Sequence, residues 1–264
     1  MKSTIKNALR NTVLAAGLLA SAAWAATPPD TLVIARDISA FLTLDPQEAF
    51  EIASGDSLNN LYLRLVQHDP LDFSKIIPGA AQSWEAAPDG KQVVFKIRQG
   101  LKFQSGNPLT AEDAAFSLQR GILLDKQSAI ILRQFGWTKD NVKERVRADG
   151  DKLVLSFEQP YATDLVLSAL SATIASVVDK KLVLQNERNG DLGNGWLRTH
   201  SAGAGAYKLV EWKAKDAVVL EAFPGYQGGT APKLKRVIVR HVSEPAAQRL
   251  LLEKGDVDVA ADLN

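Results

Sequence analysis

The chain has 264 residues, with 31 Lys and Arg against 30 Asp and Glu, 46% hydrophobic residues and no cysteine. An even charge balance gives no electrostatic footing for nucleic acid or for an anionic membrane. Without cysteine, disulfides and the thiol that anchors a bacterial lipoprotein are both excluded, so the fold must rest on a hydrophobic core.

Residues 1–25 carry the marks of an export signal. Lys2, Lys6 and Arg10 form a basic start, Thr12 to Ala23 an uncharged apolar stretch, and Ala23-Trp24-Ala25 a small-residue cleavage site. The apolar stretch is shorter than the roughly 20 residues that a membrane span needs. Cleavage is expected after Ala25, which releases a slightly acidic soluble chain into a Gram-negative periplasm without membrane insertion. A linker at Thr27 to Asp30 then leads into a strand, Thr31 to Arg36. The stretch Asp37 to Phe50 is polar and contains Pro46, as a loop does. Ser54 or Ser57 can cap the next helix, with Leu58, Leu61 and Leu65 as a core-facing stripe.

The most informative stretch runs from Pro78 to Arg120. Asp89-Gly90 is a hairpin turn, because both central positions tolerate positive φ, and Val93, Phe95 and Ile97 share one face of the strand that follows. A second turn at Gln99-Gly100 leads to Leu101 to Phe103, so a hairpin over Gln92 to Phe103 is expected to pack against the next helix. Thr110 caps that helix, with Asp113 in its first turn.

Further along, Lys126 to Gly136 has a helical pattern, Thr138 can cap a short helix, and Lys152 to Phe157 reads as a buried strand after the Asp149-Gly150 turn. The Ala- and Leu-rich stretch Thr163 to Val178 is interrupted by Asp164 and several hydroxyls, so it belongs to the core and not to a membrane. A helix from Asp179 to Arg188 closes at Gly190. Strands are expected from Tyr207, at Ala217 to Ala222 and at Val237 to His241. A helix opens at Ser243 to Pro245 and stops at Gly255, and a short strand lies within Asp256 to Ala260. The fold class is α/β with mixed sheets and flanking helices, the strands at Thr31, Tyr207 and Val237 sharing the larger sheet.

Little in this chain resembles a catalytic or metal centre. His68, His200 and His241 are far apart and form no ligand-spaced cluster, so neither a metal nor a cofactor is expected. Thr199 to Gly203 comes near the elbow of serine hydrolases around Ser201, but the first Gly is Thr199 and a strand follows where the elbow needs a helix. Gly203-Ala204-Gly205 is not a phosphate loop for the same reason, and the two glycines instead fit a tight backbone crossing. The tryptophans are scattered, with no stacking-platform spacing for nucleic acid. Trp137, in a loop-like setting before Thr138, is a candidate for solute contact.

The order of residue types between Pro78 and Arg120 resembles the signature of family 5 extracellular solute-binding proteins, the oligopeptide, dipeptide and nickel receptors of ABC importers. It is carried by Pro78, Ala81, Trp84, Glu85, Asp89, Gly90, Phe95, Arg98, Gly100, Lys102, Phe103, Gly106, Pro108, Thr110, Ala111, Asp113, Phe116, Ser117 and Arg120. Gln104-Ser105 stands where the family often shows His-Asp, and Ala80 where Leu is usual, both read as surface or packing variation. Gly203 to Tyr207 matches a second family motif with Ala204 and Ala206 replacing Thr and Pro. Gly225-Tyr226 and Gly255 to Asp258 match two more, so the resemblance covers nearly all of residues 26–264.

The resemblance implies a type II periplasmic-binding-protein fold whose first lobe is largely present and whose second lobe is missing, since receptors of this family are about twice this long. It places a lobe-crossing hinge at Asp262, Leu263 and Asn264, and it makes Asp37, Ser39 and Phe41, in the loop after the first strand, candidates for touching solute. The implied role is capture of a short peptide for an inner-membrane ABC permease, with nickel or another small solute as the alternative within the class. Two readings from other classes are a remnant that binds nothing and a periplasmic hydrolase, the second requiring turnover that is lost on Ser201→Ala.

Overall fold

The computed structural model describes residues 27–263, so the export signal expected at 1–25 lies outside the described residues, as does Asn264. Thr31–Arg36 forms the first strand (β1), and after a loop and a 3-10 turn at Ile52–Ser54 comes the helix Gly55–Leu61 (α1). That helix ends sooner than its stripe predicts. Leu58 and Leu61 are buried from it, but Leu65 is buried from the extended chain beyond, where Leu63–Arg64 (β2) and Val66–His68 (β3) lie. Ile76–Pro78 (β4) folds back on β3. Ala81–Ala86 (β5) and Gln92–Ile97 (β6) meet through the Asp89-Gly90 turn, where Gly90 takes φ +68°, a left-handed conformation open to a residue without Cβ.

Ala111–Leu124 (α2) begins where the sequence places it. The Thr110 hydroxyl accepts the Asp113 N–H, and the Asp113 carboxylate accepts the Thr110 N–H at 2.9 Å, so two free donors of the first turn are satisfied reciprocally. Then the chain is cut into short pieces: Ile130–Arg133 (α3), Val142–Arg145 (α4), Val146–Asp149 (β7), Lys152–Ser156 (β8), Thr163–Leu170 (α5), Ser176–Val177 (β9), Lys180–Gln185 (α6) and Asn194–Leu197 (α7). The last part supplies Tyr207–Lys213 (β10), Ala217–Ala222 (β11), Arg236–His241 (β12), Pro245–Lys254 (α8) and Val259–Ala260 (β13). Pro245 starts α8 and Gly255 stops it in the left-handed region.

Two sheets dominate. The larger has the order β10-β11-β12-β1-β13, with β1 parallel to both β12 and β13 and β11 antiparallel to its neighbours. It unites the strands at Thr31, Tyr207 and Val237 as expected. Its outer strand β10 carries a register shift between Leu209 and Glu211. The second sheet is antiparallel, β5-β6-β8-β7, and here the expectation needs correcting. The partners of β6 are β5 and β8, not Leu101 to Phe103. Leu101 and Phe103 are buried in a loop that closes on itself through the Lys102–Pro108 bridge, after Gly100 at φ +83° has turned the chain away.

Each sheet has its own apolar cluster. Phe95, Ile97, Phe103, Leu118, Leu153 and Leu155 pack between the four-stranded sheet and α2. Ile38, Leu44, Leu58, Leu61, Val218 and Leu220 pack under the five-stranded sheet. Gly203 and Gly205 mark where the chain crosses from one region to the other: a Cβ at Gly203 would stand 1.9 Å from the Leu61 carbonyl oxygen, and one at Gly205 2.2 Å from that of Asn60. The tight-crossing reading of these glycines therefore has a steric basis.

Candidate functional site

Because β1, β12 and β13 run parallel, their carboxyl ends open on one side, which is where open α/β sheets receive ligands. Asp37, Ser39, His241 and Asp262 gather there. The Asp37 N–H donates to Asp262 Oδ2 at 2.7 Å, and the Asp37 carboxylate accepts the Ser39 N–H at 2.8 Å. Hydrogen bonds from Ser39 hold the Asp37 carboxyl below its ordinary value. His241 Nδ1 accepts the Ile38 N–H at 3.2 Å and stands 3.5 Å from the Asp37 carboxylate. Asp262 is itself anchored, its N–H donating to Gln248 Oε1 at 3.1 Å, and Gln248 is wholly buried. Leu263, next along, is 42% exposed.

The structure brings Asp37, Ser39 and Asp262 together but sends the aromatic candidates elsewhere. Phe41 is buried and stacks on Trp212 with ring centroids 4.9 Å apart. Trp137 is 1% exposed, stacks on Phe157 at 5.7 Å, and donates its indole N–H to the Ser156 carbonyl at 3.0 Å. Its loop-like setting is misleading, because Phe135, Phe157 and Tyr161 close around that position and leave no face for a solute.

What the sequence reading passes over is the next part of the same loop. Leu42, Phe50 and Ile52 are 65%, 47% and 88% exposed, a concentration of apolar surface of the kind that marks a binding face. Leu42 and Phe50 border two neighbouring cavities, and Ile52 follows Glu51, which lines both. One, of about 440 Å³, is lined by Leu42, Thr43, Glu48, Phe50, Glu51, Lys126, Gln127 and Arg198. The other, of about 270 Å³, shares Phe50 and Glu51 and reaches in to Ser54, Asn59, Arg64 and Thr173.

A buried polar cluster fixes the chain that carries this face. Arg120 has no exposed surface and forks onto both oxygens of Asp45 at 2.7 and 2.6 Å, onto Gln47 Oε1 at 2.8 Å and onto the Leu192 carbonyl at 2.8 Å. Asn194 bridges Asp45 and Glu48, and Gln47 donates to the carbonyls of Ile174 and Ser176. Each buried charge and amide here has its partners, the condition under which such a cluster holds a loop rigid.

Gln104 is half-buried and Ser105 exposed, and both side chains make specific contacts. The Gln104 amide is shared among the carbonyls of Leu61, Gly205 and Tyr207 at 3.2, 3.2 and 2.6 Å, and Ser105 donates to Asp179 at 2.6 Å. Gln104 thereby braces the glycine crossing. His200 bonds the Trp196 carbonyl and the Thr199 hydroxyl, each at 3.0 Å, and stacks on the Trp196 ring, while the Ser201 Oγ is buried without a hydrogen-bond partner, so the nucleophile–base pair that hydrolysis would ask of Ser201 is not formed among the described residues. Among the described residues no three His, Asp or Glu groups are placed to hold a metal ion, and no helix is long and apolar enough to cross a membrane.

Comparison with known proteins places this geometry. The chain is 32% identical over 241 residues to the probable D,D-dipeptide-binding periplasmic protein DdpA of Escherichia coli K12, covering 90% of this chain and 44% of the relative. It is 27% identical over 247 residues to the glutathione-binding protein GsiB of Escherichia coli O1:K1, covering 94% and 44%. The chain thus spans less than half the length of these relatives, both of them binding proteins. Among solved structures, the fold matches Haemophilus influenzae OppA in complex with the peptide RPPGFSPFR, with a TM-score of 0.73 at 24% identity over 90% of this chain and 47% of that one. It also matches Campylobacter jejuni NikZ in complex with Ni(L-His), with a TM-score of 0.70 at 22% identity over 89% and 43%. The mixed α/β fold is therefore that of the periplasmic binding proteins. The family model for bacterial extracellular solute-binding proteins, family 5, matches residues 75–264, and the chain belongs to that family.

Proposed function

We propose that this chain serves a periplasmic receptor that captures a short peptide for an inner-membrane ABC permease, that it supplies one wall of the capture cleft, and that it is not an enzyme. The observation that carries the reading is the pair of exposed apolar residues Leu42 and Phe50 on two neighbouring cavities, with Ile52 exposed two positions further along the chain and the Asp45 to Glu48 stretch held by the buried Arg120 cluster. Such a wall offers area for side chains, while main-chain groups and charged rim residues such as Glu48, Lys126 and Arg198 orient the ends. Asp37 and Ser39 belong to the same wall in this reading, and Asp262 and Leu263 to the hinge about which a second lobe would close. The periplasmic name of the DdpA relative supports export through the expected signal at residues 1–25. Titration with a pool of di- to pentapeptides, followed by amide chemical shifts, is expected to move resonances between Leu42 and Ile52. Shifts confined to other regions, or none at millimolar peptide, would sink the reading.

A further inference from the structure

Arg64 is a cation that the fold leaves without a counter-charge. It ends the two-residue strand β2, and its side chain is only partly exposed. One Nη donates to the Ser171 carbonyl at 2.8 Å, and among the described residues no carboxylate lies within ion-pair distance of the guanidinium. Burial pushes its pKa down, with no neighbouring charge to offset the effect. Arg120 shows how this protein treats a buried guanidinium that serves only the fold: every side is answered, by Asp45, Gln47 and the Leu192 carbonyl. A guanidinium carries five N–H donors in a rigid fork, so Arg64 keeps most of its donors free, and a desolvated charge without a partner is costly to hold.

The free donors have somewhere to point. Arg64 lines the cavity of about 270 Å³ together with Asn59, Thr173, Phe50 and Ile131. The acid on the same cavity, Glu51, is already engaged by the N–H groups of Phe50 at 3.0 Å and Leu42 at 3.5 Å. The hydroxyls of Ser54 and Ser128 are spent on the carbonyls of Glu51 and Gln47. What remains is a fork-shaped cation sharing a cavity with a neutral amide and with the apolar side chains of Phe50 and Ile131.

We infer that Arg64, with Asn59 beside it, is a subsite for a carboxylate of the captured solute, whose apolar part lies along Phe50 and Ile131. The inference rests on the receptor reading for the nature of the ligand, and it narrows that reading to solutes bearing a free acid group. Planar bidentate pairing with carboxylate is what an arginine fork does and a lysine does not.

The test uses the full chain and two kinds of probe. Propionate is expected to give a saturable shift of the Arg64 Nε–Hε resonance, assigned by its loss in Arg64→Gln, and propionamide to give none; the absence of a propionate shift overturns the proposal. Trialanine is expected to bind about tenfold or more tightly than its C-terminal amide, and Arg64→Gln to abolish that preference. Equal binding of acid and amide, or a preference that survives Arg64→Gln, overturns the subsite and leaves the receptor reading standing. A propionate shift without any binding of trialanine does the reverse. The ligand-free Arg64→Gln chain is expected to melt no lower than the wild type, since it loses an uncompensated charge. A drop of several degrees would assign Arg64 to the scaffold and overturn the proposal.

Discussion

Asp45 and Arg120 are 75 positions apart in sequence and share two hydrogen bonds with no exposed surface on either side chain. Neither is informative alone. Arg120 enters the sequence reading only as one residue of a motif, because nothing local to it shows that its partner waits in the loop around Pro46. Removing one partner leaves the other charge buried and unpaired, so Asp45→Ala is expected to cost about 3–5 kcal/mol in urea unfolding. A change below about 1 kcal/mol would show that water reaches the pair. Trp137 failed to read correctly for a related reason. A lone aromatic before a capping threonine looks like a loop residue, and its burial depends on Phe157 and Tyr161 arriving from about twenty positions away. Leu42, Phe50 and Ile52 left the opposite trace: apolar residues scattered through a polar loop, with no period to mark them. Only folding sets Leu42 and Phe50 on one cavity.

Elements set by local chemistry were legible. The capping box at Thr110, the glycine turn at Asp89-Gly90 and the start at Pro245 and stop at Gly255 of α8 each rest on residues close by in sequence. Pairing between strands was not, since alternation in Leu101 to Phe103 looks the same whether those residues join a ladder or plug a core. Phe95 tests the part that did carry over. Its ring is wholly buried between the four-stranded sheet and α2, so Phe95→Asp is expected to lose several kcal/mol from burying a charge, and a mutant melting like the wild type would refute the face assignment. Gly203→Ala tests the crossing. With the Leu61 oxygen 1.9 Å from the new Cβ, backbone must move, and a loss of about 3 kcal/mol or more is expected by thermal or chemical unfolding. Unchanged stability would mean that the crossing is looser than its geometry.

At the scale of the whole molecule, the proposed hinge and the start of the proposed wall are one hydrogen bond apart. Asp262 holds the Asp37 N–H, and Gln248 holds Asp262 from the buried face of α8. Rotation at Asp262 would therefore pull on the loop that leads to the cleft. Asp262→Ala is expected to raise the hydrogen-exchange rate of the Asp37 amide about tenfold or more, because a donor loses its partner, while amides of the four-stranded sheet keep their rates. An unchanged Asp37 amide would break the link.

The register shift in β10 has a consequence for how copies of this chain meet. An outermost strand displays a row of unused donors and acceptors that a second molecule can zip onto. Here the row is broken where Leu209 gives way to Glu211, the intervening Val210 is 53% exposed, and Gln104 already occupies the Tyr207 carbonyl at one end. Lys208, Glu211 and Lys213 add charges of both signs along the remainder. A kinked, part-occupied and charged margin offers no flat template, so this side of the five-stranded sheet disfavours edge-to-edge pairing with a second copy.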